Sequence, residues 1–136
     1  MTKREMVAAL LTTRLIGAAK AEERVAGQAI TAVLVLRGKP GREAEFPDLL
    51  APVLDAMRHE PTFINAILHR DPEDPTRFLL YETWADRTDL VEVQMRRPYR
   101  NAYWARLPEL LAAPREVGVW TPIRADFGPN ATTRSP

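Results

Sequence analysis

The chain has 136 residues, 46% of them hydrophobic, a formal net charge of +1 and no cysteine. That length is one ordinary domain with ample material for a core, and the charge gives no strong pull on nucleic acid or an anionic membrane. The lack of cysteine excludes disulfides, thiolate chemistry and Cys-based zinc sites, and the single serine, Ser135, sits in a polar tail where a nucleophile is not expected.

Residues 2–26 read as a helix. Thr2 and Glu5 fit a capping box, Val7, Leu11, Leu15 and Ala18 recur at helical spacing, and Gly27 is a stop. Lys3 and Arg4 before an apolar run resemble a signal peptide, but Arg14 interrupts the run and "AAKAEER" is a poor cleavage context. No apolar run reaches the ~18 residues of a membrane helix. A cytoplasmic protein is expected, with residues 1–28 as an accessory helix.

"AITAVLVLRG" (29–38) is apolar and β-branched throughout, as in a strand covered on both faces. "KPG" (39–41) is a turn. Phe46, Leu49, Leu50, Val53, Leu54 and Met57 give residues 42–58 a helical period, in which Pro52 should introduce a kink. "FINAILHR" (63–70) and "RFLLYETW" (77–84) are strands joined by the proline-rich "DPEDPT" hairpin. Asp86 is an N-cap for the next helix. Pro98 restarts a helical stretch carrying Tyr99, Tyr103, Leu107, Leu110 and Leu111, and "REVGVWTPI" (115–123) is the fourth strand. Residues 124–136 form a tail with little to bury, expected to be flexible.

The domain at 29–123 thus reads βαββαβ, an α+β ferredoxin-like arrangement with an antiparallel sheet and both helices on one face. The other face is not polar. Its candidates Thr31, Val33, Val35, Leu79, Tyr81 and Thr83 are apolar or neutral. One protomer has helices for only one face, so a homodimer is expected in which two sheets meet through these faces and form a barrel.

"RGKPGREAEF", "LHRDPEDPTRFLLYETWAD" and "RRPYRNAY" resemble the antibiotic biosynthesis monooxygenase (ABM) domain, a dimeric α+β barrel, over roughly residues 31–123. The resemblance implies a small pocket between helices and sheet in each protomer. It also implies, for some members, oxidation of polycyclic aromatic substrates by O₂ with no metal or flavin. Trp84 matches the pocket tryptophan of the anthrone-oxidising members, whose asparagine four residues earlier is Leu80 here. The family often has glycine at Thr62, tyrosine at Ala66 and histidine at Gln94. The tryptophan and histidine of haem-degrading members fall nearest Val93 and Tyr103, so haem degradation is not implied.

Each candidate residue has two readings. Strand parity puts Leu80, Glu82 and Trp84 on one face. Glu82 is a structural anchor held by an arginine or a helix start, or an acid/base group. Trp84 is core, or the flat wall of a pocket. His69 and Asn65 share a face of the second strand. His69 is a surface histidine or a general base, and His59 at a helix end is structural. Tyr99 and Tyr103 stand at i and i+4 and are core, or donors to a substrate oxygen with Gln94 beside them. Arg96, Arg97, Arg100 and Arg106 form a solvated basic face or an anion-steering rim. Phosphate-loop, flavin and nicotinamide motifs are absent, and the two histidines have no metal-ligand spacing. The expected activity is a cofactor-independent monooxygenase acting on a small electron-rich aromatic or quinol. His69 would be the base, Tyr103, Gln94 and Asn65 the donors, and Trp84 the wall. A non-catalytic binding or regulatory barrel is the alternative.

Overall fold

The structure, a computed structural model, describes residues 27–131. The expected N-terminal helix lies outside these residues. Among them, β1 (Ile30–Arg37) leads through the Lys39–Gly41 turn into α1 (Glu45–Met57). Gly41 takes φ +82°, a conformation that a side chain disfavours. β2 (Phe63–Arg70) and β3 (Arg77–Trp84) follow as a hairpin, then α2 (Arg87–Glu92), two 3₁₀ turns, α3 (Asn101–Leu110) and β4 (Glu116–Trp120). The strand order is β2-β3-β1-β4 with every pairing antiparallel. This is the expected α+β ferredoxin-like sheet.

Local chemistry accounts for the joints. The hairpin is closed by its own aspartates: Asp71 accepts from the Glu73 backbone N–H, and Asp74 from both the backbone N–H and the hydroxyl of Thr76. These bonds, hydroxyl first, hold the Asp74 carboxyl below its usual range. Asp86 caps α2, accepting from the Asp89 backbone N–H at 3.1 Å. Pro98 opens the second 3₁₀ turn, where its missing N–H costs nothing. Pro52 departs from expectation, since α1 runs through it unbroken from Glu45 to Met57. Its side chain is exposed, so the lost backbone bond falls on the wet side of the helix.

Register sorts the side chains into two faces. Ile30, Ala32, Leu34 and Leu36 of β1 and Phe78, Leu80, Glu82 and Trp84 of β3 face the helices and are buried. They meet Phe46, Leu50, Val53 and Met57 of α1 and Tyr103, Trp104 and Leu107 of α3 in one core. A bulge at Ile64 corrects the parity of β2, pairing Phe63 with Trp84 and Asn65 with Thr83. Three rows cross the far face: Asn65, Thr83, Thr31 and Trp120; Ile67, Tyr81, Val33 and Gly118; His69, Leu79, Val35 and Glu116. The hydroxyls of Thr31 and Thr83 lie 3.1 Å apart within the first row. Gly118 leaves room for its neighbour, since a Cβ there would stand 3.1 Å from the Trp120 indole nitrogen. Residues 124–131 are exposed and carry no helix or strand.

Candidate active site

Between the sheet and the helices lies a small cavity of about 10 Å³. Leu34, Leu80, Met57 and Met95 form part of its apolar wall, and Glu82, Arg100, Tyr103, Trp104 and Arg115 supply its polar groups. The elements place them there by period. Arg100, Tyr103, Trp104 and Leu107 repeat at helical spacing along one buried face. Arg115, Val117 and Val119 share the parity of the inner face of β4, and Glu82 follows Leu80 on β3.

Glu82 is 2% exposed, and its Oε1 accepts from the Trp84 indole N–H at 3.2 Å. Trp84 is fully buried, with the Phe63 ring edge-on at 5.2 Å and the Arg100 guanidinium 5.9 Å from its centre. It does not line the cavity. It stands one layer behind, fixing the carboxylate. Tyr103 packs edge-on against Trp104 at 5.2 Å, and the Arg115 guanidinium lies 4.9 Å over the Trp104 ring. Burial pushes the Tyr103 hydroxyl up to about 12, an effect only partly offset by the charge of Arg115. Tyr103 therefore stays a neutral hydrogen-bond donor at any physiological pH.

Gln94 and Tyr99 belong to a different cluster. Gln94 donates to Glu60 and to Asp89, both at 3.1 Å, and the Tyr99 hydroxyl donates to Glu60 at 3.3 Å. Arg97 pairs with the same Glu60 carboxylate, and Thr62 donates to Asp89 at 2.6 Å. This network ties the α1–β2 turn to the helical segment after β3. The expected alliance of Gln94 with Tyr103 is not formed, because Gln94 is occupied by two carboxylates.

His69 and Asn65 lie on the far face of the sheet, opposite Glu82 and Tyr103. His69 is exposed, with Nδ1 3.3 Å from the Leu79 carbonyl oxygen. It borders an open groove of about 430 Å³ beside the β2–β3 hairpin, with Val35, Leu79 and the ion-paired Arg77 and Asp71. The sheet thus divides the expected base from the expected wall and phenol. The inner cavity is the better candidate, since its polar groups are buried and the groove's charged ones are mostly wet. Among the described residues no group of three or more His, Asp or Glu side chains converges as metal ligands would.

Trp104 and Arg115 were not singled out by the sequence reading, and Arg100 was read there as part of a solvated basic face or an anion-steering rim. The signal existed. Arg100, at the N-cap of α3, stands three, four and seven residues before Tyr103, Trp104 and Leu107 and continues their buried stripe.

The comparisons agree with this architecture. Over 85 residues the chain is 28% identical to the uncharacterized protein sll1783 of Synechocystis, a match spanning 62% of this chain and 57% of that protein. GME11364 of Pestalotiopsis microspora, provisionally named a monooxygenase, is 32% identical over 83 residues, 60% of this chain and 69% of its own. The structure of SnoaB from Streptomyces nogalater, a cofactor-independent oxygenase solved as a point mutant, has a TM-score of 0.62 and 18% identity. That match covers 72% of this chain and 96% of SnoaB, a likeness of fold. The family model for antibiotic biosynthesis monooxygenase matches residues 29–103, more than half of the chain, and the protein belongs to that family.

Proposed function

We propose that the protein is a cofactor-independent monooxygenase that oxidises a small electron-rich aromatic or quinol with O₂ in the inner cavity. One observation carries the reading. A carboxylate, Glu82, is buried at an apolar cavity beside a phenol that stays protonated. The groups around it are donors suited to an anion. Glu82 takes a proton from an acidic C–H of the substrate. The carbanion gives one electron to O₂, and the radical pair joins in a C–O bond. The resulting hydroperoxide loses water to leave a carbonyl, so a CH₂ group and O₂ become C=O and H₂O. Tyr103 donates to the oxygen anion, and Leu80 is part of the apolar wall. The family membership and the relative named as a monooxygenase support the same reading.

A non-catalytic binding barrel is the second reading. It is favoured by the small size of the cavity, which fits one water-sized group. Met57 and Met95 are the walls that can yield, being flexible and unbranched. An oxygen electrode separates the two readings. With anthrone or a reduced naphthoquinone, and a chelator to remove stray metal, O₂ uptake should rise with protein concentration. No uptake above the protein-free rate from a folded sample would leave only the binding module.

The far face supports a homodimer. Ile67 is 49% exposed and Trp120 is 65% exposed there, with Val33, Val35, Leu79 and Tyr81 half-buried between them. Two such faces packed together would close the barrel. Among the described residues no helix is long and apolar enough to cross a membrane, and the proposal places the protein in the cytoplasm.

A further inference from the structure

One wall of the inner cavity is held by side chains rather than by backbone. Residues 94–100 form no α-helix or strand, only the 3₁₀ turns Gln94–Arg96 and Pro98–Arg100 with an extended Arg97 between them. Their backbone bonds stay local: Arg96 donates to Val93, Arg97 to Gln94 and Arg100 to Arg97. Such turns have poorer hydrogen bonds than an α-helix and often mark a hinge. The walls from β1, β3, α1 and α3 belong instead to a ladder or a continuous helix. The side chains that tie the segment to the body converge on one carboxylate. Glu60 accepts from Gln94 Nε2 at 3.1 Å, from Arg97 Nη2 at 3.2 Å and from the Tyr99 hydroxyl at 3.3 Å. Its own backbone is fixed, donating to Met57 at the end of α1 and accepting from Phe63 at the start of β2. The neighbouring α2 is anchored separately, through the 2.6 Å bond from Thr62 to Asp89.

Met95 and Arg100 bring the segment into the cavity wall, and both are buried. The cavity of about 10 Å³ fits one water-sized group, so a larger ligand enters only when a wall moves. Two opposing effects act on this wall. The Glu60 bonds hold it shut. Arg100 Nε and Nη2 meet no acceptor from the protein, and opening would return them to water and relieve that cost. We infer that residues 94–100 are a gate over the inner cavity, hinged at its two ends and latched by the Glu60 carboxylate. The inference rests on the cavity being the ligand site of the proposed function, and it supplies that site's route of entry. A ligand that displaces the segment competes with three side-chain bonds to a single residue, so admission is controlled at Glu60.

Hydrogen exchange of the free protein tests the latch. In Glu60→Ala the amides of residues 95–100 should exchange at least about tenfold faster, the effect of losing one charge-assisted bond, while those of β1 and β3 keep their wild-type rates. The chain has no cysteine, so Leu80→Cys places a single thiol on the cavity wall. Methyl methanethiosulfonate should label that thiol faster when Glu60→Ala is added. Unchanged exchange at residues 95–100 would overturn the inference. So would an acceleration shared equally by β1 and β3, which makes Glu60 a support of the whole fold, or labelling indifferent to Glu60. Tyr99→Phe removes one of the three bonds and should give the same pattern at smaller size, and it stands in if Glu60→Ala does not fold. Neither readout uses a substrate or O₂. A latch that responds as expected, with no O₂ uptake from any substrate, keeps the inference and overturns the oxygenase reading. Uptake with no response of the segment does the reverse.

Discussion

Tyr103 and Glu82 concentrate the chemistry in two side chains, and each gives a separate measurement. The Tyr103 hydroxyl titrates at about 12 in the folded chain and near ~10 when unfolded. A raised phenol binds its proton more tightly in the native state. Its contribution is therefore fully present below about pH 10 and lost as pH rises through about 12, a fall of roughly 2–3 kcal/mol. Urea unfolding from pH 9 to 12 should show this loss in the wild type, and Tyr103→Phe should remove that part of the alkaline slope. Equal slopes in the two proteins would place the phenol in water. Glu82→Gln keeps an acceptor for the Trp84 indole but removes a buried negative charge at the cavity that Arg100 also lines. Stability should fall by about 1–3 kcal/mol. Under the proposed chemistry O₂ uptake should fall about 100-fold or more, far beyond any change in the folded fraction.

Elements explain why some of the site was legible and some was not. Strand parity alone placed Leu80, Glu82 and Trp84 together, because β3 runs from Arg77 to Trp84 with no break in its register against β1. It also paired His69 with Asn65. What parity within one strand cannot give is which face of β2 matches which face of β3. That is set by the register across the hairpin, His69 opposite Leu79 and Leu68 opposite Leu80. His69 therefore fell on the wrong side for a base acting with Tyr103. His69→Asn should leave any O₂ uptake within about twofold of wild type, whereas a loss of ~100-fold would return the chemistry to the far face. On α3 the error ran the other way. Arg100 was grouped with its exposed neighbours Arg96 and Arg106 by charge, while its place on the Tyr103–Leu107 stripe put it inside. The Asp86 cap was plain from the sequence because capping is local. Asp86→Ala should cost about 1 kcal/mol, read from the denaturant midpoint. The Glu60 network was not foreseeable, since it joins residues up to 39 positions apart.

For the whole molecule the open question is the far face. Its rows are continuous across all four strands, and the middle row carries Ile67, Tyr81 and Val33 with only Gly118 at the β4 end. That composition is wasteful if the face is wet, because a sheet with one solvated face normally alternates apolar with polar residues. Trp120 makes the point sharply. It is 65% exposed, yet its indole lies close over Gly118, as if to present a flat apolar surface. A face-to-face dimer would bury Ile67 and Trp120 against their counterparts, and a stable interface of this kind covers ~1,200–2,000 Å² in total. Ile67→Lys puts an ammonium in that contact. In a dimer with twofold symmetry the charge enters twice, and neither copy finds a partner in the apolar rows. Sedimentation should then show a dimer for the wild type and a folded monomer for Ile67→Lys at micromolar concentration. If the far face is simply solvent-exposed, the lysine is harmless and both proteins sediment alike. A wild type that is monomeric at high concentration would remove the barrel from the account, while the inner cavity, which lies wholly within one chain, would keep its geometry.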